Sequence, residues 1–270
     1  MKTALLIIDP QNDFIDGYKN AALPVNGASV DMENLALYIN ENSKNITDIF
    51  VTLDSHLLND IAHPMWYRDK NNQNPKPLTI ITYKNIMDGT YTTTDPNNLE
   101  WTKKYLRTLE KNNKCELCVW PPHCLIGSEG QNIYKPVYDA IQKYSVDNNR
   151  QIHFIHKGMN PNTEHYSGLK AEVEIIGEDD TKLNQKLIDK LDSYDKIEIS
   201  GEALSHCVAN TTRDLVENIK SKNYEKITLL TDTMSNVTGF ENLGENFLND
   251  MKKLGLNSKN VKINKKHTLK

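Results

Sequence analysis

No G-x-G-x-x-G, no P-loop and no G-x-S-x-G elbow occurs in the chain, so readings as a dinucleotide binder, an NTPase or a serine hydrolase have nothing to stand on. Positive charge is in short supply. Against 36 Asp and Glu stand 32 Lys and Arg, giving a net charge of -4 and a pI near 6.1. Nucleic-acid partners require an excess of Lys and Arg on one face, and they are not expected here. The basic end KINKKHTLK reads as a solvated tail. Cysteine is sparse too, with four in 270 residues, too few for a disulfide framework. Apolar runs are short. That near the start reaches only from Ala4 to Ile8 before Asp9, less than an export signal needs, and no run approaches a membrane span. A cytoplasmic protein with free thiols and no membrane partner is expected. With 38% hydrophobic and 25% charged residues the chain has the makings of a core, and disorder is not suggested.

Three of the four cysteines crowd into CELCVWPPHC, residues 115 to 124. Cys115, Cys118 and His123 match the opening of a zinc knuckle, whose last ligand should fall at 128. That position is a serine.

The runs ALLIID (4–9), IFVTLD (49–54), IHFIHK (152–157), IEISG (197–201), ITLLTD (227–232) and VKIN (261–264) read as strands. Continuous apolar runs suit a parallel sheet covered on both faces. Between them SVDMENLALYINEN, LEWTKKYLRTLEK, NIYKPVYDAIQKY, TKLNQKLIDKLDSY, SHCVANTTRDLVENIK and FENLGENFLNDMKKL read as helices. In the fifth, Val208, Thr212, Leu215 and Ile219 share one face. The alternation predicts a doubly wound α/β fold of one domain, 1–270. From about 57 to 119 much of the chain is rich in Pro, Asn and Thr without a clear period, and is read as an elaborated lid or interface insert.

Ligands of open parallel sheets bind beyond the carboxyl ends of the strands. Those ends carry Asp9, then Asp54 followed by His56, then His156 and Lys157, then Gly201 with a helix beginning near Cys207. Taken singly, an Asp after a strand is a cap and a buried Cys is an inert hydrophobe. Together they suggest chemistry. A thiol at a helix N-terminus with a nearby Lys has its thiolate favoured, and a carboxylate can take its proton and return it to a leaving group. Asp54 and His56, two apart, point the same way and suit a divalent metal with open positions, the third ligand coming from His63 or His123. His123 follows the rigid Pro121-Pro122 pair.

These stretches together resemble the nicotinamidase and isochorismatase-like cysteine hydrolase superfamily: DPQNDF at 9–14, LDSH at 53–56, WPPHC at 120–124, KG at 157–158, EHYSG at 164–168 and GEALSHCVANTTRDL at 201–215. The resemblance implies a six-stranded, mostly parallel sheet flanked by helices, and a catalytic triad of Asp9, Lys157 and Cys207. It implies a divalent metal, zinc ahead of manganese or iron, on Asp54, His56 and His123, which decides against His63. It implies a cis peptide between Glu202 and Ala203, with the Ala203 and Cys207 amides as the oxyanion hole, and a ring site for which Phe14, Trp120 and Tyr166 are the candidates. The implied reaction is hydrolysis of a small amide through a Cys207 thioester, nicotinamide to nicotinate and ammonia in NAD salvage. Family members commonly self-associate, so a homo-oligomer is expected. The chain departs from the common G-x-A-T-x-x-C motif at Leu204 and has His206 where an aromatic residue often precedes the cysteine. The alternatives are a sister hydrolase acting on another amide or, as isochorismatases do, on a vinyl ether, and a noncatalytic zinc-binding interaction module built on Cys115, Cys118 and Cys124. Isochorismatase-type members generally lack the metal set, and the zinc module leaves Asp9, Lys157 and Cys207 unexplained.

Overall fold

The computed structural model describes residues 1–111 and 116–261. In chain order the elements are β1 (Thr3–Ile8), α1 (Ala28–Asn42), β2 (Asp48–Asp54), β3 (Tyr67–Asp69), β4 (Thr79–Ile81), α2 (Tyr83–Met87), β5 (Tyr91–Thr93), α3 (Leu99–Lys111) and β6 (Leu117–Val119). There follow α4 (Lys135–Asn148), β7 (Ile152–Lys157), α5 (Gln185–Asp192), β8 (Lys196–Gly201), α6 (Ala209–Asn218), β9 (Ile227–Leu230), α7 (Glu241–Lys253) and β10 (Asn257–Lys259).

Six of the strands form one sheet in the order β10-β9-β8-β1-β2-β7, every neighbouring pair parallel. Its two faces are covered because side chains alternate along each strand. From β1, Leu5 and Ile7 join Met32, Leu35 and Ile39 of α1 and Ile141 of α4. Ala4, Leu6 and Ile8 turn the other way, to Ile188 of α5, Leu215 of α6 and Phe247 of α7. Each such Leu or Ile, fully buried, contributes about 1.5–3 kcal/mol. Helix α1 presents Met32, Leu35, Ala36 and Ile39 inward at spacings of three, one and three, the stripe of a helix with one covered face. Among the described residues no helix is long and apolar enough to cross a membrane.

The segment 57–119 is more ordered than its composition suggested. Strands β3 and β5 pair antiparallel, as do β4 and β6, and α3 buries Tyr105, Leu106 and Leu109 in the same cluster as α1. The indole of Trp101 donates to the Asn162 carbonyl at 2.8 Å and the Tyr105 hydroxyl accepts from the Glu164 amide at 3.2 Å. The insert therefore braces the stretch that leads through Glu164 to Tyr166. At the far edge of the sheet the sixth strand lies at Asn257–Lys259, ahead of the one expected at 261–264. Of that expected strand only Val261 is described, and it is buried.

The strand order reverses between β1 and β8, the switch point outside whose carboxyl ends sheets of this kind bind ligands. Gly201 closes β8 with φ +124°, and a Cβ on it would stand 2.0 Å from the Ile8 carbonyl oxygen. No side chain fits between the two strands at this point. Gly201→Ala is expected to destabilise the protein by about 2 kcal/mol or more, read as a lower urea midpoint in equilibrium unfolding; an unchanged midpoint would contradict the packing described.

Candidate active site

Asp9 follows β1 with φ +43° and is fully buried. Its backbone turn is held from β2, where the Thr52 hydroxyl donates to Asp9 Oδ1 at 2.6 Å and accepts from the Asp9 amide at 3.1 Å. Lys157, the last residue of β7, brings its ammonium to 3.0 Å from Asp9 Oδ2 and 3.0 Å from Asp54 Oδ1. The same nitrogen donates to the His165 carbonyl at 2.9 Å and lies 3.5 Å from Cys207 Sγ. Cys207 sits in a π-helical turn, Leu204–Val208, that runs into α6. Three strand ends thus converge on one thiol. The peptide Glu202–Ala203, at the start of that turn, is cis.

The electrostatics favour proton transfer over a standing thiolate. Burial pushes the Cys207 thiol well up, and the Lys157 ammonium only partly opposes this. The helix-terminus and lysine effects expected from the sequence are therefore outweighed by desolvation. Burial also raises Asp9, against the pull of Lys157. Lys157 itself would be driven down by burial, but the carboxylates of Asp54 and Asp9 raise it well above its ordinary value. A charged lysine beside a carboxyl with raised proton affinity is the setting in which that carboxyl serves as a base.

Asp54, His56 and His123 converge beside the triad, with donor atoms all within 4.8 Å of one another. His56 Nε2 lies 3.2 Å from Asp54 Oδ1 and His123 Nε2 lies 3.3 Å from Asp54 Oδ2. His123 Nδ1 is 2.9 Å from the Pro121 carbonyl, which can only accept, so Nε2 is left to present a lone pair. His56 Nδ1 stands 3.2 Å from Asp60 Oδ2, the outer carboxylate that commonly orients a metal-bound imidazole. His56 Nε2 and Asp54 Oδ1 are buried without a hydrogen bond of regular geometry. A carboxylate and two imidazoles with open positions fit a divalent transition metal. Gly158, φ +77°, lets the backbone pass this set, since a Cβ there would meet Asp54 Oδ1 at 3.0 Å and His56 Cε1 at 3.1 Å.

His63 is nearer than a bystander. Its ring centroid lies 5.1 Å from that of His56 and 5.5 Å from that of His123. Its Nδ1 faces the Leu57 carbonyl at 3.1 Å and its Nε2 is buried without a partner. Burial, reinforced by the other two histidines, lowers it to about 4. No thiol belongs to the three-donor cluster among the described residues. Cys118 and Cys124 are buried, free thiols, the former pushed up to about 12 by burial, and Cys115 lies outside the described residues.

A cavity joins the two groups of residues, lined among others by Phe14, Trp120, Tyr166, His206, Ala203 and Cys207. Trp120 donates its indole N-H to the Tyr166 hydroxyl at 2.9 Å. His206 is ringed by aromatics, with centroid distances of 5.2 Å to Trp120, 5.4 Å to Tyr166 and 4.9 Å to Phe240. Phe14 meets the His123 ring edge-on at 5.5 Å. Thr52, Asp60, Glu164 and Phe240 escaped the sequence reading. Asp60 has a local signal, four residues beyond His56 and within reach of its ring. Thr52 lies inside an apolar strand and Phe240 far along the chain, so nothing local marks them.

No family model and no curated protein sequence matches the chain. Solved structures do. The yeast nicotinamidase superposes with a TM-score of 0.64 at 23% identity, over 96% of this chain and 99% of that one. A nicotinamidase/pyrazinamidase of Acinetobacter baumanii gives 0.62 at 19%, over 96% of each chain. The zinc complex of a pyrazinamidase of Pyrococcus horikoshii gives 0.55 at 19%, over 96% of this chain and 98% of that one. The fold is that of these nicotinamidase and pyrazinamidase structures. For the metal set, zinc added at ~100 times its dissociation constant should stabilise the protein by about 2.7 kcal/mol. The rise in thermal midpoint should vanish in His123→Ala; an equal rise in that variant would place the ion elsewhere.

Proposed function

We propose that the protein is a cysteine amidohydrolase cleaving a primary carboxamide on a small planar ring, nicotinamide to nicotinate and ammonia, as a step of NAD salvage in the cytoplasm. The observation that carries this reading is the Lys157 ammonium held between Asp9 and Asp54 and 3.5 Å from the Cys207 sulfur. Relatives in fold that bind nicotinaldehyde and nicotinate support the choice of ring.

The ring enters the aromatic cavity, flanked by Phe14, Trp120 and Tyr166, with its carboxamide carbon over Cys207. Asp9 takes the thiol proton as sulfur attacks, so no free thiolate has to be maintained in the buried site. The carbonyl oxygen gains charge and is met by the Ala203 and Cys207 amides, donors already fixed by the turn. Asp9 passes its proton to the departing nitrogen, the C–N bond breaks, and ammonia leaves behind a thioester on Cys207. Asp9 then takes a proton from water, which attacks the thioester carbon; the C–S bond breaks, Asp9 returns the proton to the sulfur, and the acid leaves. Lys157 stays charged throughout and keeps Asp9 oriented. A divalent ion on Asp54, His56 and His123 supplies Lewis acidity, fit to hold a ring nitrogen lone pair or a water molecule at the cavity wall.

Cys207→Ala should lower ammonia release from nicotinamide by at least about 1000-fold, and Asp9→Asn by a comparable factor, since members of one catalytic unit fail together. Coupled enzymatic ammonia assay of the purified variants checks this. Turnover retained in Cys207→Ala would remove the nucleophile assigned here.

A further inference from the structure

Glu202 lies between β8 and the nucleophile turn, and it is fully buried. Oε2 accepts the Ser235 amide at 3.1 Å. Oε1 is buried with no conventional hydrogen-bond donor facing it among the described residues. The neighbouring side chain is another carboxyl, Asp31 in the first turn of α1, and one residue, Ser235, binds both. Two carboxyl groups can share a hydrogen bond only if one of them carries a proton. Ser235 spans both, its hydroxyl donating to Asp31 Oδ2 at 2.5 Å. From the same loop the Ser235 carbonyl accepts the Leu204 amide at 2.7 Å, and the Val237 amide donates to the Ser205 hydroxyl at 3.1 Å. Three distant segments are thus tied together directly behind Ala203.

Among the described residues, the charged side chains around Glu202 are acidic. On α1 there is Asp31, with Glu33 exposed. In the loop before α1 there is Asp16, whose oxygens accept the Gly27 and Ser29 amides. On the 231–237 loop Asp232 directs its carboxylate to the Val261 amide at 2.7 Å.

We propose that Glu202 is a positioning residue: it carries a proton shared with Asp31, and that proton fastens the turn bearing Ala203 and Cys207 to α1. The role of the turn rests on the amidohydrolase reading above. Burial and then the Asp31 carboxylate raise Glu202 well above the ordinary glutamate range. Its contribution to stability is therefore complete below the pKa of the unfolded chain and is lost as pH rises through the raised value. Once the proton is gone, two carboxylates face each other in a buried site and push the turn from α1. Loss of activity on the alkaline side follows, through the oxyanion donors and not through the nucleophile.

Glu202→Gln keeps the shape, stays neutral and donates an N-H to Asp31, so ammonia release should stay within ~3-fold of wild type while its alkaline limb moves to higher pH. Glu202→Leu lacks the donor and should lose at least ~10-fold, in the direction of removing an oxyanion donor. Infrared difference spectra at neutral pH should show the C=O stretch of a protonated carboxylic acid in wild type that is gone in Glu202→Gln. The proposal is overturned if that band does not differ between the two, if the pH profiles of wild type and Glu202→Gln coincide, or if the Gln variant falls as far as the Leu variant. Should no amide be turned over by wild type, the amidohydrolase reading fails separately. The infrared band then still decides the shared proton, and the pH dependence of Cys207 alkylation by iodoacetamide, shifted in Glu202→Gln or not, decides the fastening of the turn.

Discussion

A single buried ammonium organises the site. Lys157 lies 3.0 Å from a carboxylate oxygen of Asp9 and 3.0 Å from one of Asp54, and it is withdrawn from solvent with both. Removing one member of such a buried cluster leaves uncompensated charge and typically costs about 3–5 kcal/mol. The lysine stands between Asp9, beside the Cys207 thiol, and Asp54 of the three-donor cluster, and so joins the two groups of side chains. The topology makes this arrangement accessible, because β1, β2 and β7 run parallel side by side and deliver Asp9, Asp54 and Lys157 to one edge.

The activation of Cys207 follows from the same constraint. A buried thiol in a nest of carboxylates resists ionisation. In the mechanism we propose, the raised proton affinity of Asp9 turns that resistance into a transfer, in which the proton moves to the carboxyl only as sulfur bonds to carbon. The Ala203 and Cys207 amides proposed as oxyanion donors, and the proton proposed at Glu202, both concern the turn that bears the thiol. A fold alone does not confer a reaction; the reading stands on these side chains and their distances.

How much of this was visible in the sequence depended on whether the signal was local. Five of the six sheet strands lie where apolar runs ended in Asp, Lys or Gly; β1, β2, β8 and β9 are largely buried and so read as apolar runs, whereas the edge strand β7 is exposed or half-buried up to Lys157. Asp9, Asp54, Lys157 and Cys207 were readable from those ends. The insert was only partly readable. Helix α3 has a strong amphipathic period, whereas β3 to β6 are three residues each, too short to show alternation, and β4 finds β6 only across α2, β5 and α3. The last strand was placed too late in the chain, since Asn257–Lys259 is exposed at every position and carries no apolar run. The Glu202–Asp31 contact had no sequence signal at all, being made by two segments that meet only in the folded chain. CELCVWPPHC misled in the opposite way, by crowding potential ligands of which, among the described residues, only His123 joins the three-donor cluster.

The covalent step is the center of the account and can be observed directly. Wild-type protein mixed with nicotinamide, quenched in acid within the first turnover, digested and examined by mass spectrometry should carry a nicotinoyl group on Cys207 and on no other cysteine. Ammonia released in the same interval with Cys207 unmodified throughout, or with the acyl group on another residue, would contradict it.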